Sequence, residues 1–290
     1  MAKESKQGVF ITGASGGIGG AAARTLARRG YRVYAGMRST SKAPSFDADI
    51  DLIEVDVTEP ESVQAAAQEV TARQGRAGLR AVINNAGIII QGPLELVPTS
   101  DLVRQFAVNV FGPAEVTRAF LPLLRQGAGR LINVSAPTAR VAVPFAAPIS
   151  ASKAALESFS DALRVELAPW NIPVSIVVPG AIESSIFVKA GEASQAAMKS
   201  ADPQRVALYV PQLEAVARAL GAQKSSSPQT VADVILKIVE AKHPSARYIA
   251  NSDARPFGMI SRLPVGLRDR LLTRLLGLNN IPTGEVRKSS

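Results

Sequence analysis

Short apolar runs alternate with longer amphipathic stretches along most of the chain. The runs at 9–11, 31–36, 51–55, 80–84, 130–134 and 174–178 read as strands, and the last is apolar except for Ser175. Strands with so few polar positions are covered on both faces, as in parallel sheets. The stretches at 18–29, 59–73, 101–124 and 150–167 carry apolar residues at helical spacing, the last at Leu156, Phe159, Leu163 and Leu167. Pro113 and Pro122 predict kinks or ends inside the long third helix. Strand and helix in strict alternation predict an α/β fold: a doubly wound parallel sheet in three layers, α/β/α.

The alternation stops after Pro179. A helical excursion with polar breaks follows and ends in a short polar linker at 224–228. A helix at 230–241 and an edge strand at 247–250 come next. The expected organisation is one domain at 1–253, with a lid excursion at 184–227, and a C-terminal tail at 254–290. Phe187, Val188, Met198, Val206, Leu208, Val210 and Leu213 predict an apolar lid over a cleft.

Composition narrows the chemistry. Of 290 residues, 47% are hydrophobic, enough for a full core without crosslinks. There is no cysteine and a single histidine, His243, so disulfides and thiolate sites are excluded and no metal is expected. No apolar run approaches the ~20 residues that span a bilayer, and residues 1–8 do not resemble a signal peptide, so a cytoplasmic location is expected. Lysine and arginine outnumber acidic residues by 33 to 24, a net charge of +9. Such a balance suits anionic partners, yet no basic stripe carries interleaved aromatic rings, and nucleic acid is not expected. The leucine- and arginine-rich tail is expected to pack on the domain or a sister subunit, with an anionic membrane surface as the alternative. Residues 283–290 are expected to be disordered.

Between the first strand and first helix stands Thr12-Gly13-Ala14-Ser15-Gly16-Gly17-Ile18-Gly19. Glycines there let the backbone turn sharply and approach a phosphate, and the helix start offers free N–H groups. This Gly-x-x-x-Gly-x-Gly spacing, with the threonine before it, resembles the short-chain dehydrogenase/reductase family, whose domain is a Rossmann fold. Asn84-Asn85-Ala86-Gly87, Asp56-Val57, Asn109-Val110-Phe111-Gly112 and Pro179-Gly180-Ala181-Ile182-Glu183-Ser184 match further motifs of that family in order. The layout from Arg247 onward resembles its retinol- and steroid-dehydrogenase-like branch. The resemblance implies a dinucleotide held by Gly13, Ser15, Gly17, Ile18, Gly19, Asp56, Val57, Asn85, Ala86, Gly87, Lys153, Pro179, Gly180, Ile182 and Ser184. It also implies a homodimer or homotetramer through the helices at 101–124 and 150–167. At the end of the second strand Met37 is followed by Arg38 rather than an acidic residue, which favours NADP(H) over NAD(H).

Family members carry a serine after the fifth strand, a tyrosine thirteen residues later, and a lysine four residues after that. The resemblance assigns the lysine to Lys153 and the water-anchoring asparagine to Asn109. It puts Ile149 at the tyrosine position and Ala136 at the serine position. The other tyrosines, Tyr31, Tyr34, Tyr209 and Tyr248, lie outside the segment that could be realigned. Ser135 is expected to point to the opposite face of its strand. A positioned general acid is worth ~10²–10⁴ in rate, so ordinary ketone reduction is expected to be very slow.

Three readings follow. The favoured one is an enzyme acting on a hydrophobic small molecule without the tyrosine: by cyclisation, isomerisation or an atypical hydride transfer, of a kind used in biosynthesis. The second is a pseudoenzyme that binds a nucleotide or a partner. The third is an NADPH-dependent carbonyl reductase with a substitute donor, for which Tyr209 in the lid is the candidate.

Overall fold

The computed structural model describes residues 6–46, 50–221 and 225–281. The stretch at 283–290 and Lys224 of the linker lie outside them. Seven parallel strands form one sheet: β1 (Gly8–Thr12), β2 (Arg32–Met37), β3 (Ile50–Glu54), β4 (Leu79–Asn84), β5 (Arg130–Val134), β6 (Val174–Val178) and β7 (Arg247–Ile249). Their order is β3-β2-β1-β4-β5-β6-β7. This is the doubly wound Rossmann arrangement that the alternation predicts, in a single domain.

The sheet is buried on both faces because successive side chains alternate between them. Val9 and Ile11 of β1 join a core with Leu26 of α1 (Gly17–Arg28) and Val231, Ile235 and Val239 of α8 (Pro228–Glu240). Phe10, between them in sequence, joins the opposite core with Val63 and Val70 of α2 (Pro60–Gln74) and Val116 and Phe120 of α4 (Gly112–Gln126). The Phe10 and Phe120 rings stack with centroids 4.0 Å apart. The strand order reverses between β1 and β4, and the crevice beyond their carboxyl ends is where open α/β sheets bind ligands.

The third helical stretch differs from its expected form. α3 (Thr99–Phe106) runs through a π-helical turn at Ala107–Phe111 into α4. The irregularity precedes Pro113, and Pro122 lies inside α4 without ending it. α5 (Ala147–Glu166) buries Leu156, but Phe159 is 47% exposed on its outer face. The excursion expected to form a lid consists of α6 (Ser185–Ser200) and α7 (Pro203–Gly221). Its expected apolar lining is only partly inward: Phe187, Val188, Leu208 and Val210 are exposed, whereas Met198, Val206 and Leu213 are half-buried. The tail folds as α9 (Arg255–Ile260) and α10 (Val265–Leu275), with Leu276 buried. No helix among the described residues is long and apolar enough to cross a membrane.

Candidate active site at the carboxyl ends of the strands

The glycine loop is built to leave backbone exposed. Gly13 has a φ of +69°, in the left-handed region that favours glycine. A Cβ on Gly19 would lie 2.3 Å from the Gly13 carbonyl oxygen, so α1 can press against the loop only with glycine there. Gly16 precedes α1 with no side-chain cap, which leaves first-turn N–H groups for an anion. The loop is tied to the end of β4. The Thr12 hydroxyl accepts from the N–H groups of Asn85 and Ala86 at 3.1 and 3.0 Å. Asn85 Nδ2 donates to the carbonyls of Thr12 and Gly13. Thr12, absent from the expected set, is thus the joint between the two loops.

The remaining expected contacts lie on the loops that follow β1, β2, β3 and β6. Asp56 closes a turn, its Oδ1 accepting from the backbone and hydroxyl of Thr58. Val57 packs under Gly112, where a Cβ would stand 2.8 Å from its side chain. Arg38 is exposed directly after β2, and Ser15 is exposed at the turn of the glycine loop, ahead of the half-buried Ile18. At β6, Pro179 is buried and Gly180 and Ala181 donate their N–H groups to Asn251 Oδ1 (3.3 Å) and Asp253 Oδ2 (2.7 Å). Ile182 bridges to Ser226, and Ser184 caps α6 by accepting from the Ile186 N–H. These contacts crimp the loop after β6 against the segment after β7.

At the catalytic end, Lys153 is buried on α5, and its Nζ donates to the Val134 carbonyl at 2.8 Å. Burial pushes its pKa down to about 8, against a counter-pull from Glu157. Asn109 sits in the π-helical turn, a distortion frequent at functional sites. Its Oδ1 accepts from the Ile88 N–H at 2.9 Å, and its Nδ2 donates to the Ile88 carbonyl at 3.0 Å. Gln105, fully buried, clamps the same loop through the Ile90 N–H and the Ile88 carbonyl, and also donates to the Ser152 hydroxyl. Ile149, 7% exposed, stands one turn before Lys153, and Ala136 follows β5. Ser135, expected on the opposite face, donates to Glu157 Oε1 on α5 at 2.7 Å. Tyr209 donates its hydroxyl to Glu95 Oε2 at 2.7 Å and meets the Phe145 ring edge-on. That hydrogen bond raises the pKa of the phenol, so it is a poorer acid than a free one.

The family model of the short chain dehydrogenases matches residues 7–195, from before β1 into α6. The chain belongs to the short chain dehydrogenase family. Relatives of this chain include a 3-amino-tetrahydro-pyrrolizinone reductase from Xenorhabdus hominickii, 31% identical over 89% of this chain and 92% of the relative. The human 17-beta-hydroxysteroid dehydrogenase type 6 is 34% identical over 92% of this chain and 87% of its own. A short chain dehydrogenase from Burkholderia cenocepacia, solved in complex with NADP, superposes with a TM-score of 0.72 at 27% identity, covering 94% of this chain and 98% of that one. Another from Streptomyces avermitilis also gives 0.72, at 28% identity, covering 96% and 97%.

Several residues of the dehydrogenase's site carried no signal in the sequence. Gln105, Ser152 and Glu157 are polar residues on helices, where solvent exposure is the ordinary reading. Asn251 and Asp253 follow the edge strand, and only the sheet order brings them beside Gly180.

Proposed function

We propose that this protein binds NADP(H) and acts on a hydrophobic small molecule without a phenolic proton donor. The observation that carries the proposal is the contrast between its two ends. The cofactor cradle is complete, whereas two hydrocarbon side chains, Ile149 and Ala136, stand at the positions the family uses for its phenol and its carbonyl-polarising hydroxyl. The loop fits a dinucleotide's phosphates because Gly16 leaves the first-turn N–H groups of α1 without a side-chain cap, and glycine at 13 and 19 lets α1 pack close beside the loop. Gly13, Ser15, Gly17, Ile18 and Gly19 would hold the phosphates; Asp56, Val57, Asn85, Ala86 and Gly87 the adenosine side; Lys153, Pro179, Gly180, Ile182 and Ser184 the nicotinamide side. Arg38, exposed beyond β2, supports NADP(H) over NAD(H) by its charge and forked donors. When bound, that cofactor supplies or accepts a hydride.

The chain's own residues define what else happens. Lys153 brings a positive charge to the cleft but keeps its Nζ on the Val134 carbonyl. Asn109 holds the loop after β4 rather than presenting a free amide. Ser135 is committed to Glu157 and Tyr209 to Glu95, so neither supports a substitute-donor reading. The substrate is therefore one whose reaction needs no proton from the enzyme at the hydride-accepting carbon's oxygen, such as an iminium, or one that only needs to be held for cyclisation or isomerisation. The pyrrolizinone reductase relative, named for a nitrogen heterocycle, supports that direction. Exposed Val103, Phe111, Phe159 and Val165 on α3 to α5 support a homo-oligomer.

The test is a binding titration with NADPH and NADH, followed by NADPH oxidation with matched hydrophobic ketones and cyclic iminium ions. The expected result is tighter NADPH binding and turnover confined to the iminium class. Ketone reduction at ordinary family rates would overturn the donor-free reading, and absence of any dinucleotide binding would overturn the whole proposal.

A further inference from the structure

Glu157 plays no part in that proposal, yet it is a buried carboxylate, 6% exposed, engaged by three other segments of the chain. Its Oε1 accepts from Ser135 at the end of β5. Its Oε2 takes Arg140 Nε, from the loop after β5, at 3.2 Å, and also Arg247 of β7. It lies four residues after Lys153 on α5, where two side chains share one helix face. We propose that Glu157 is a positioning residue for Lys153: its carboxylate, ion-paired with Arg140 and Arg247, is the first anionic group along α5 from Lys153, one helical turn away, and through Ser135 holds α5, and with it the Lys153 ammonium, in register with the end of β5.

Two consecutive residues of β5 and its exit are stapled to α5 by this arrangement. Val134 receives Lys153 through its carbonyl, and Ser135 binds Glu157 through its hydroxyl. The helix and strand cannot slide without breaking both. Charge gives the same answer as geometry. The groups bordering the Lys153 amine from the other side are neutral: the Val134 carbonyl and the Gly87 backbone, from which a Cβ would stand 3.7 Å from Nζ and 3.3 Å from Asn109 Oδ1. Glu157 is the ionised side chain that raises the amine's proton affinity. Removing its charge leaves Arg140 and Arg247 without their carboxylate one helical turn from the buried Lys153. An ion pair that only braced β7 against α5 would hold the fold together and leave the amine's protonation unaffected.

The direct test is an NMR titration of lysine labelled at Cε in the cofactor-free protein, with Lys153→Met assigning the resonance. Glu157→Gln keeps the shape and the Ser135 hydrogen bond, and should move the Lys153 midpoint down by roughly one pH unit. Arg247→Met removes a competing cation and should move it in the opposite direction. Opposite shifts are expected where Glu157 and Arg247 act on the amine through their charges. An unchanged midpoint in a folded Glu157→Gln protein, or in Arg247→Met should Glu157→Gln fail to fold, would overturn the inference. Neither result depends on cofactor or turnover. The consequence for cofactor does rest on the proposed function: alkaline loss of NADPH affinity should begin at lower pH in Glu157→Gln. If both midpoints shift as expected but NADPH never binds, the positioning role stands and the cofactor assignment fails.

Discussion

Lys153→Met should make this protein more stable near neutral pH and remove part of its stability gain in alkali. The ammonium has a pKa of about 8 in the fold against an ordinary 10.5, with burial as the leading cause. Below about pH 8 both folded and unfolded chains hold the proton, and the buried charge weighs on the fold in full. Between about 8 and 10.5 the unfolded chain holds more protons than the folded one, so stability rises with pH. Above that window the penalty is gone. At about 1.4 kcal/mol per pH unit, the gap is worth about 3 kcal/mol. Methionine is of similar length and carries no charge, so it removes the penalty but leaves the Val134 carbonyl without its Nζ donor, a loss of about 1–3 kcal/mol. The net gain near pH 7 is therefore small, whereas the difference in pH slope keeps its full size. Urea unfolding of both cofactor-free proteins at several values between about pH 7 and pH 10 reads it. Parallel stability curves for the two proteins would refute the claim that Lys153 is held charged against its burial.

Four further outcomes follow from the site. Ile149→Tyr with Ala136→Ser should raise NADPH-dependent reduction of a hydrophobic ketone by about 10²-fold or more, read as NADPH oxidation; no gain in a folded, cofactor-binding double variant would mean the cleft excludes ketones for another reason. Gly19→Ala forces a Cβ to within 2.3 Å of the Gly13 oxygen and should cost about 1–3 kcal/mol of stability together with roughly tenfold or more in NADPH affinity, measured by denaturation and by fluorescence titration. Arg38→Asp should weaken NADPH binding by roughly tenfold or more while sparing NADH, by the same titration. Tyr209→Phe should leave turnover of any accepted substrate unchanged, since its hydroxyl is engaged by Glu95 at the lid; a collapse in turnover would restore it as a proton donor.

The strands and the glycine loop were legible because their causes are local. An apolar run needs two covered faces, and a glycine after β1 has a turn and a close packing to satisfy. The π-helical turn at Asn109 was not legible, because one extra residue in a helical turn leaves the apolar spacing of 101–124 almost intact. Pro113 and Pro122 drew attention to the right helix and to the wrong residues. The lid shows another limit. Amphipathic spacing predicts that α6 and α7 have apolar faces, but not what each face meets, and Phe187, Val188, Leu208 and Val210 turn outward. Glu157 was hidden for the converse reason: nothing local marks a helix glutamate whose partners are supplied by β5, its exit loop and β7.

The position of Lys153 bears on whether this scaffold is still a working one. In a site with a phenol one turn away, the lysine's charge has an obvious electrostatic task, because it lowers the phenol's pKa. With Ile149 in that place the task is gone, and the buried ammonium remains as a liability of about 3 kcal/mol. A fold under no demand except stability has a simple remedy, since methionine or leucine would fill the same space. Here the charge is instead supported by Val134 from the strand and by Glu157 from the helix. The glycine loop is in a similar position: Gly19 lets α1 pack close to it, and the first-turn N–H groups it presents are left without a side-chain cap. The lysine and the cradle point to the same occupant, and that favours a protein that still uses its cofactor over one that has kept only the shape of an enzyme.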